Sequence, residues 1–168
     1  VIADPVARGR ALADFHATVA PALWHDLIDS GLVAGGDSPR ARDEWECLAA
    51  FGCARGLVAA GGFGSDSRAA VDALFAAVVE RWAAAPVTGE PLEERRARLA
   101  DRTAEYAALG QAAGSPPSHG RPSIGDAAAR RICATDIAGA ELGVMLGELL
   151  QAIVEGAAER VREDGAPA

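Results

Sequence analysis

The chain has 168 residues, enough for one domain built on a single hydrophobic core. Half of the residues are hydrophobic and 24% are charged, which excludes a disordered chain. Formal net charge is −8 and no lysine occurs among the 16 cationic residues, which excludes an extended basic surface for nucleic acid.

Alanine is abundant and aromatic residues make up only 5%, so the composition itself leans toward helix. The all-arginine cation set reads as the trace of a GC-rich, bacterial-type genome. Three cysteines, Cys47, Cys53 and Cys133, are an odd number and argue against a disulfide framework. Cys47 and Cys53 fall on different faces of one predicted helix and cannot pair there. A reducing compartment follows, and with no signal-peptide pattern in view the expected location is the cytoplasm. The chain starts at Val1 with no initiator methionine, as a trimmed start would leave it.

Asp4-Pro5 starts the first helix, because aspartate caps free N–H groups and proline suits the first helical position. Leu12, Phe15, Val19, Leu23, Leu27 and Ile28 recur at three- and four-residue spacing along it. Pro21 is expected to kink or break this helix after Ala20. His16 and His25 are nine residues apart across that proline, which is not a metal-binding spacing.

Ser38-Pro39 repeats the capped start, and Gly61-Gly62 stops the second helix. From Cys47 to Val58 this helix is apolar almost all round, as a buried helix is. Gly52 and Gly56 form a small-residue stripe on it. Arg55 interrupts the apolar ground between Leu48 and Phe51 on the helical wheel. An arginine there requires a counter-charge, a pocket or the surface. Gly61-Gly62-Phe63-Gly64 lacks the lysine of a phosphate loop and follows a helix, so it reads as a helix stop.

Ser65 or Asp66 caps a third helix, which runs to Ala85 with Val71, Leu74, Phe75, Val78 and Trp82 inward. A fourth begins at Pro91, with Leu92, Leu99, Tyr106 and Leu109 as a narrow seam. Its charge run reads as a solvated face on an outer helix. Residues 114–122 cannot be helical. Ser123 and Asp126 then make a capping box for a last, long helix through Asp164. Gly139, Gly143 and Gly147 lie four apart on it and offer bare backbone for a close helix crossing or a dimer seam. Asp136 lies near that glycine edge and is the expected partner of Arg55. Asp136, Glu141 and Glu148 would each cost about 2.5 kcal/mol or more near a bilayer centre, so this helix is not a membrane span.

The expected fold is all-α: a single-domain bundle over residues 1–168, of five to six helices. Its long C-terminal helix is central, and its tail frays over 165–168. Nothing in the motifs supports a catalytic constellation, a cofactor or a metal site. The leading reading is a small helical interaction or accessory protein. It would pair with itself as a homodimer or take a protein partner, with neither nucleic acid nor membrane involved. The second reading is a binding protein for an apolar small molecule with an acidic headgroup. Its pocket would lie between the second, third and last helices, with Arg55 and Asp136 as the polar residues.

Overall fold

A computed structural model describes residues 4–33, 36–85, 90–113, 122–134 and 139–163. The chain forms a helical bundle of α1 (Pro5–Asp29), α2 (Pro39–Gly61), α3 (Ser65–Ala84), α4 (Leu92–Ala113), α5 (Ile124–Ile132) and α6 (Ala140–Glu163). No strand occurs among the described residues, and none of the helices is long and apolar enough to cross a membrane. The expected tail at 165–168 lies outside the described residues.

The starts of α1, α2 and α5 are capped as the local sequence dictates, whereas the expected cap of α3 by Ser65 or Asp66 does not form. Asp4 accepts a hydrogen bond from the Val6 N–H at 3.1 Å, and Ser38 accepts one from Ala41 at 3.1 Å. Ser123 and Asp126 close a reciprocal capping box at the start of α5. For α3 the capping position is Gly64, with no side-chain cap, and Asp66 sits in the first turn, where its charge suits the helix dipole.

Helix α2 is the axis of the bundle, since all five other helices pack against it. Trp45, Leu48 and Leu57 on α2 are fully buried, alongside Leu74 of α3 and Leu146 and Ile153 of α6. Helix α6 lies along α2 and runs the same way: Gly52 faces Leu150 and Ile153, and Gly56 faces Ala157. Helix α4 also runs parallel to α2, with Arg95 at Asp43 near the start and Gly110 at Arg55 near the end.

Two expectations need correction. Pro21 does not break α1, which continues to Asp29. The proline removes the N–H that would bond to the carbonyl of Ala17, but both residues lie on the exposed face, so the lost bond is not buried in the core. The C-terminal helical pattern is also not one helix. Helix α5 ends at Ile132, Cys133 caps it, and Ala134 takes a left-handed conformation with φ of 50°. The two pieces pack on each other through glycines: a Cβ on Gly125 would strike the carbonyl of Gly143 and come within 3.0 Å of the Gly147 nitrogen. Apolar periodicity carries on through 124–154, so it hides a turn that contains no proline.

His16 is buried between α1 and α2, with Nε2 3.2 Å from the Glu46 carbonyl. Burial pushes its imidazole down from the ordinary 6.5 to about 4. The folded state therefore holds His16 neutral where the unfolded chain already protonates it. This contribution is complete above pH 6.5 and is lost as pH falls toward 4. Between pH 6.5 and 5 the loss is expected to be about 1.5 kcal/mol. Urea titrations of the wild type and His16→Leu at both pH values test this. Equal pH dependence in the two proteins would refute it.

Candidate functional site

The C-terminal half of α2 places Phe51, Arg55 and Val58 at three- and four-residue spacing, so they share a face. Helix α3 brings Val71 and Phe75 to that face, and α4 brings Thr103, Ala107 and Gly110. Together they wall an open, mostly apolar groove of ≈ 450 Å³, with Val154 of α6 also contributing. Phe63, just beyond α2, stands at its edge with 95% of its surface exposed.

Arg55 lies at the border of this groove and is exposed. Its guanidinium carbon is 5.9 Å from the centre of the Phe51 ring, within cation–π reach. Beside it, α4 has a glycine: a Cβ on Gly110 would sit 2.9 Å from Arg55 Nη1. Among the described residues no carboxylate pairs with Arg55. Asp136, its expected partner, lies outside the described residues. The stem of Arg55 thus runs along apolar surface while its head stays at the water edge.

Three of the five stripe glycines meet neighbours inside the chain. Gly52 and Gly56 let α6 close on α2, and a Cβ on Gly143 would strike the carboxylate of Asp126 on α5. Gly139 and Gly147 have nothing within 4 Å of their own Cβ positions.

A second polar feature was not legible as such in the sequence. Near its start α2 carries Asp43, Glu44 and Glu46, and α4 meets them with Arg95, Arg98 and Arg102. Arg95 Nη2 donates to Asp43 at 2.7 Å, and its guanidinium carbon lies 4.4 Å from the centre of the Trp82 ring. Arg102 grips Glu44 with two parallel bonds of 2.6 and 3.0 Å. Arg98 spans Asp43 at 3.3 Å and Glu90 at 2.7 Å. Glu46 accepts from the Trp82 indole N–H. Burial pushes the carboxyls of Asp43 and Glu46 up, whereas the hydrogen bond from Arg98 holds that of Glu90 down.

The charge run of α4 is therefore only partly a solvated face. Residues 95, 98 and 102 recur at helical spacing on the same side as Leu99 and Tyr106, and that periodicity was the available signal. Glu44 is fully buried, Asp43 and Arg95 are each 3% exposed, and the cluster acts as a clamp between α2 and α4. Among the described residues no three His, Cys, Asp or Glu side chains are placed to hold a metal ion.

Comparisons with protein-family models, with curated proteins and with solved structures found no match.

The geometry of the groove is thus the ground for a functional reading. Its walls offer apolar surface, and its polar lining residues are Arg55 of α2 and Thr103 and Gln111 of α4.

Proposed function

We propose that this chain binds small amphipathic anions, with the apolar part of the ligand in the α2–α3–α4 groove and the acidic headgroup on Arg55. The observation that carries the reading is a guanidinium, with no carboxylate partner among the described residues, at the border of an apolar groove of ≈ 450 Å³. That size falls in the usual range for small-molecule sites, roughly 300–1,000 Å³, in which a few polar groups orient a mostly apolar ligand. Phe63 supports the same reading, because a bound chain would cover an aromatic ring that is otherwise left in water. The net charge of −8 opposes anions at long range, so affinity must come from the local contact with Arg55.

Decanoate, decanol and decylamine offer the same tail with three headgroups. Decanoate is expected to raise the melting temperature most, with about 2.7 kcal/mol of stabilisation at a free concentration 100 times its Kd. Arg55→Met is expected to remove the preference for the anion and leave the ligand-free protein about as stable as the wild type, since no ion pair among the described residues is lost. Equal stabilisation by all three ligands, or an anion preference that survives Arg55→Met, would overturn the proposal.

The reading as a self-pairing interaction protein has less support. Gly52, Gly56 and Gly143 are engaged within the chain, the backbone of Gly147 packs on Gly125, and open space remains at Gly139 and at the Cβ position of Gly147.

A further inference from the structure

Phe63 lies two residues beyond the end of α2 and is the most exposed large hydrophobic residue among those described. A ring that keeps its water adds almost nothing to folding. Nothing adjacent in the chain hems it in. Its neighbours Gly62 and Gly64 carry no side chains, and a Cβ at either position would meet nothing within 4 Å. The turn beneath it is tied down: Gly62 has φ of 72°, and Ser67 Oγ donates to the Gly62 carbonyl at 2.8 Å. The backbone thus holds Phe63 at the edge of the groove, while its ring is free to rotate about the side-chain torsions. Exposed side chains make such changes within nanoseconds.

Arg55 precedes Phe63 by eight residues, and the six steps from Arg55 to Gly61 advance about 9 Å along α2. On this stretch of α2 the groove is lined by Val58 and Ala59, both apolar. Gln111, an exposed polar residue of the lining, follows Gly110 and so lies toward the Arg55 guanidinium rather than toward Phe63. A saturated chain advances roughly 1.2 Å per bond, so about eight bonds cover the distance from Arg55 to the end of α2.

We infer that Phe63 sets the chain length this groove selects: its ring turns onto the tail of a fatty-acid anion whose carboxylate sits on Arg55, once that tail reaches the end of α2. This rests on the groove reading above and deepens it, by giving the direction in which the ligand lies and the residue that measures it. A short acid keeps the contact with Arg55 but leaves the ring in water. An acid of about ten carbons brings tail and ring together, and both lose apolar surface to water.

NMR titration of the full chain with hexanoate and with decanoate tests the inference. Hexanoate spans roughly 6 Å and stops short of Phe63. Phe63→Ala is expected to weaken decanoate binding about tenfold and hexanoate binding less than about twofold. Phe63→Leu is expected to recover most of the loss for decanoate. Both variants are expected to fold as the wild type does, since the ring is 95% exposed. Phe63→Trp reports the movement of the ring. Trp24, Trp45 and Trp82 are buried and none of them lines the groove, so acrylamide quenching of the added indole stands apart from theirs. That quenching is expected to fall at least about twofold on saturation with decanoate and to stay unchanged with hexanoate. Unchanged quenching with decanoate, an equal loss of both acids in Phe63→Ala, or no loss of either would overturn the inference. Self-association of the wild type that Phe63→Ala abolishes, with decanoate affinity unchanged, would overturn it too and assign the ring to an interface between copies. In each of these cases the groove reading stands if Arg55→Met still removes the preference for decanoate over decanol. Binding of neither acid, or binding indifferent to Arg55→Met, would remove the groove reading and this inference together.

Discussion

Glu44→Ala is expected to lower the free energy of unfolding by about 3–5 kcal/mol, the loss typical of breaking a buried ion pair. Glu44 has no solvent exposure and holds Arg102 through two hydrogen bonds, with Arg98 Nε a further 3.6 Å from one of its oxygens. Alanine leaves the Arg102 guanidinium, 13% exposed, with Glu105 as its remaining carboxylate, at 3.3 Å. Desolvation of that cation is then largely uncompensated. The pair is not thereby a large net stabiliser, because both charges lost water to reach it. Glu44→Leu combined with Arg102→Met is accordingly expected to stay within about 1.5 kcal/mol of the wild type. Urea denaturation of the three variants measures both values. A loss below about 1 kcal/mol for Glu44→Ala would mean that water replaces the missing carboxylate and that the α2–α4 clamp is open to solvent.

Gly56→Leu is expected to cost about 3 kcal/mol or more, through overpacking that backbone atoms cannot relieve. A Cβ at this position would lie 2.5 Å from the Val154 carbonyl, 2.6 Å from Ala157 Cβ and 3.0 Å from the Ala158 nitrogen. All three belong to the main chain or the first side-chain atom of α6, so accommodation requires α6 to move away from α2. Gly52→Ala provides the comparison. There the nearest atoms, at 2.8 and 3.1 Å, are Cγ2 of Ile153 and Cδ1 of Leu150, which rotate more cheaply. The loss for Gly52→Ala is expected to be smaller, and circular dichroism should show the helix content of both variants preserved under native conditions. If Gly56→Leu unfolds within about 0.5 kcal/mol of the wild type, α2 and α6 are not in close contact at this point.

Parts of the candidate site are legible in the sequence. Arg55 is a single cation in a stretch, Cys47 to Val58, that is otherwise apolar, and the fold sets it at a groove. Gly52 and Gly56 stood out for the same kind of reason, a small-residue stripe on a buried helix, and α6 uses it. What these patterns lack is the identity of the surface opposite. The α2–α4 clamp depends on three carboxylates and three arginines that lie more than forty residues apart in sequence. Each set by itself looks like an ordinary hydrated helix face.

The sequence by itself determined the all-helical class and most helix starts, because caps, prolines and a 3.6-residue apolar period act within a few residues of one another. It also determined that α2 is buried, since a helix with no polar face from Cys47 to Val58 has nowhere else to go. Tertiary structure decided the rest. It turned the chain at Ala134, where a local pattern continues but packing of Gly125 on Gly143 favours a folded-back α5. It carried α1 through Pro21, because Pro21 and Ala17 lie on the exposed side of the helix. And it chose which arginines of α4 are buried, because the desolvation of a cation is offset only by carboxylates that another helix supplies at bonding distance.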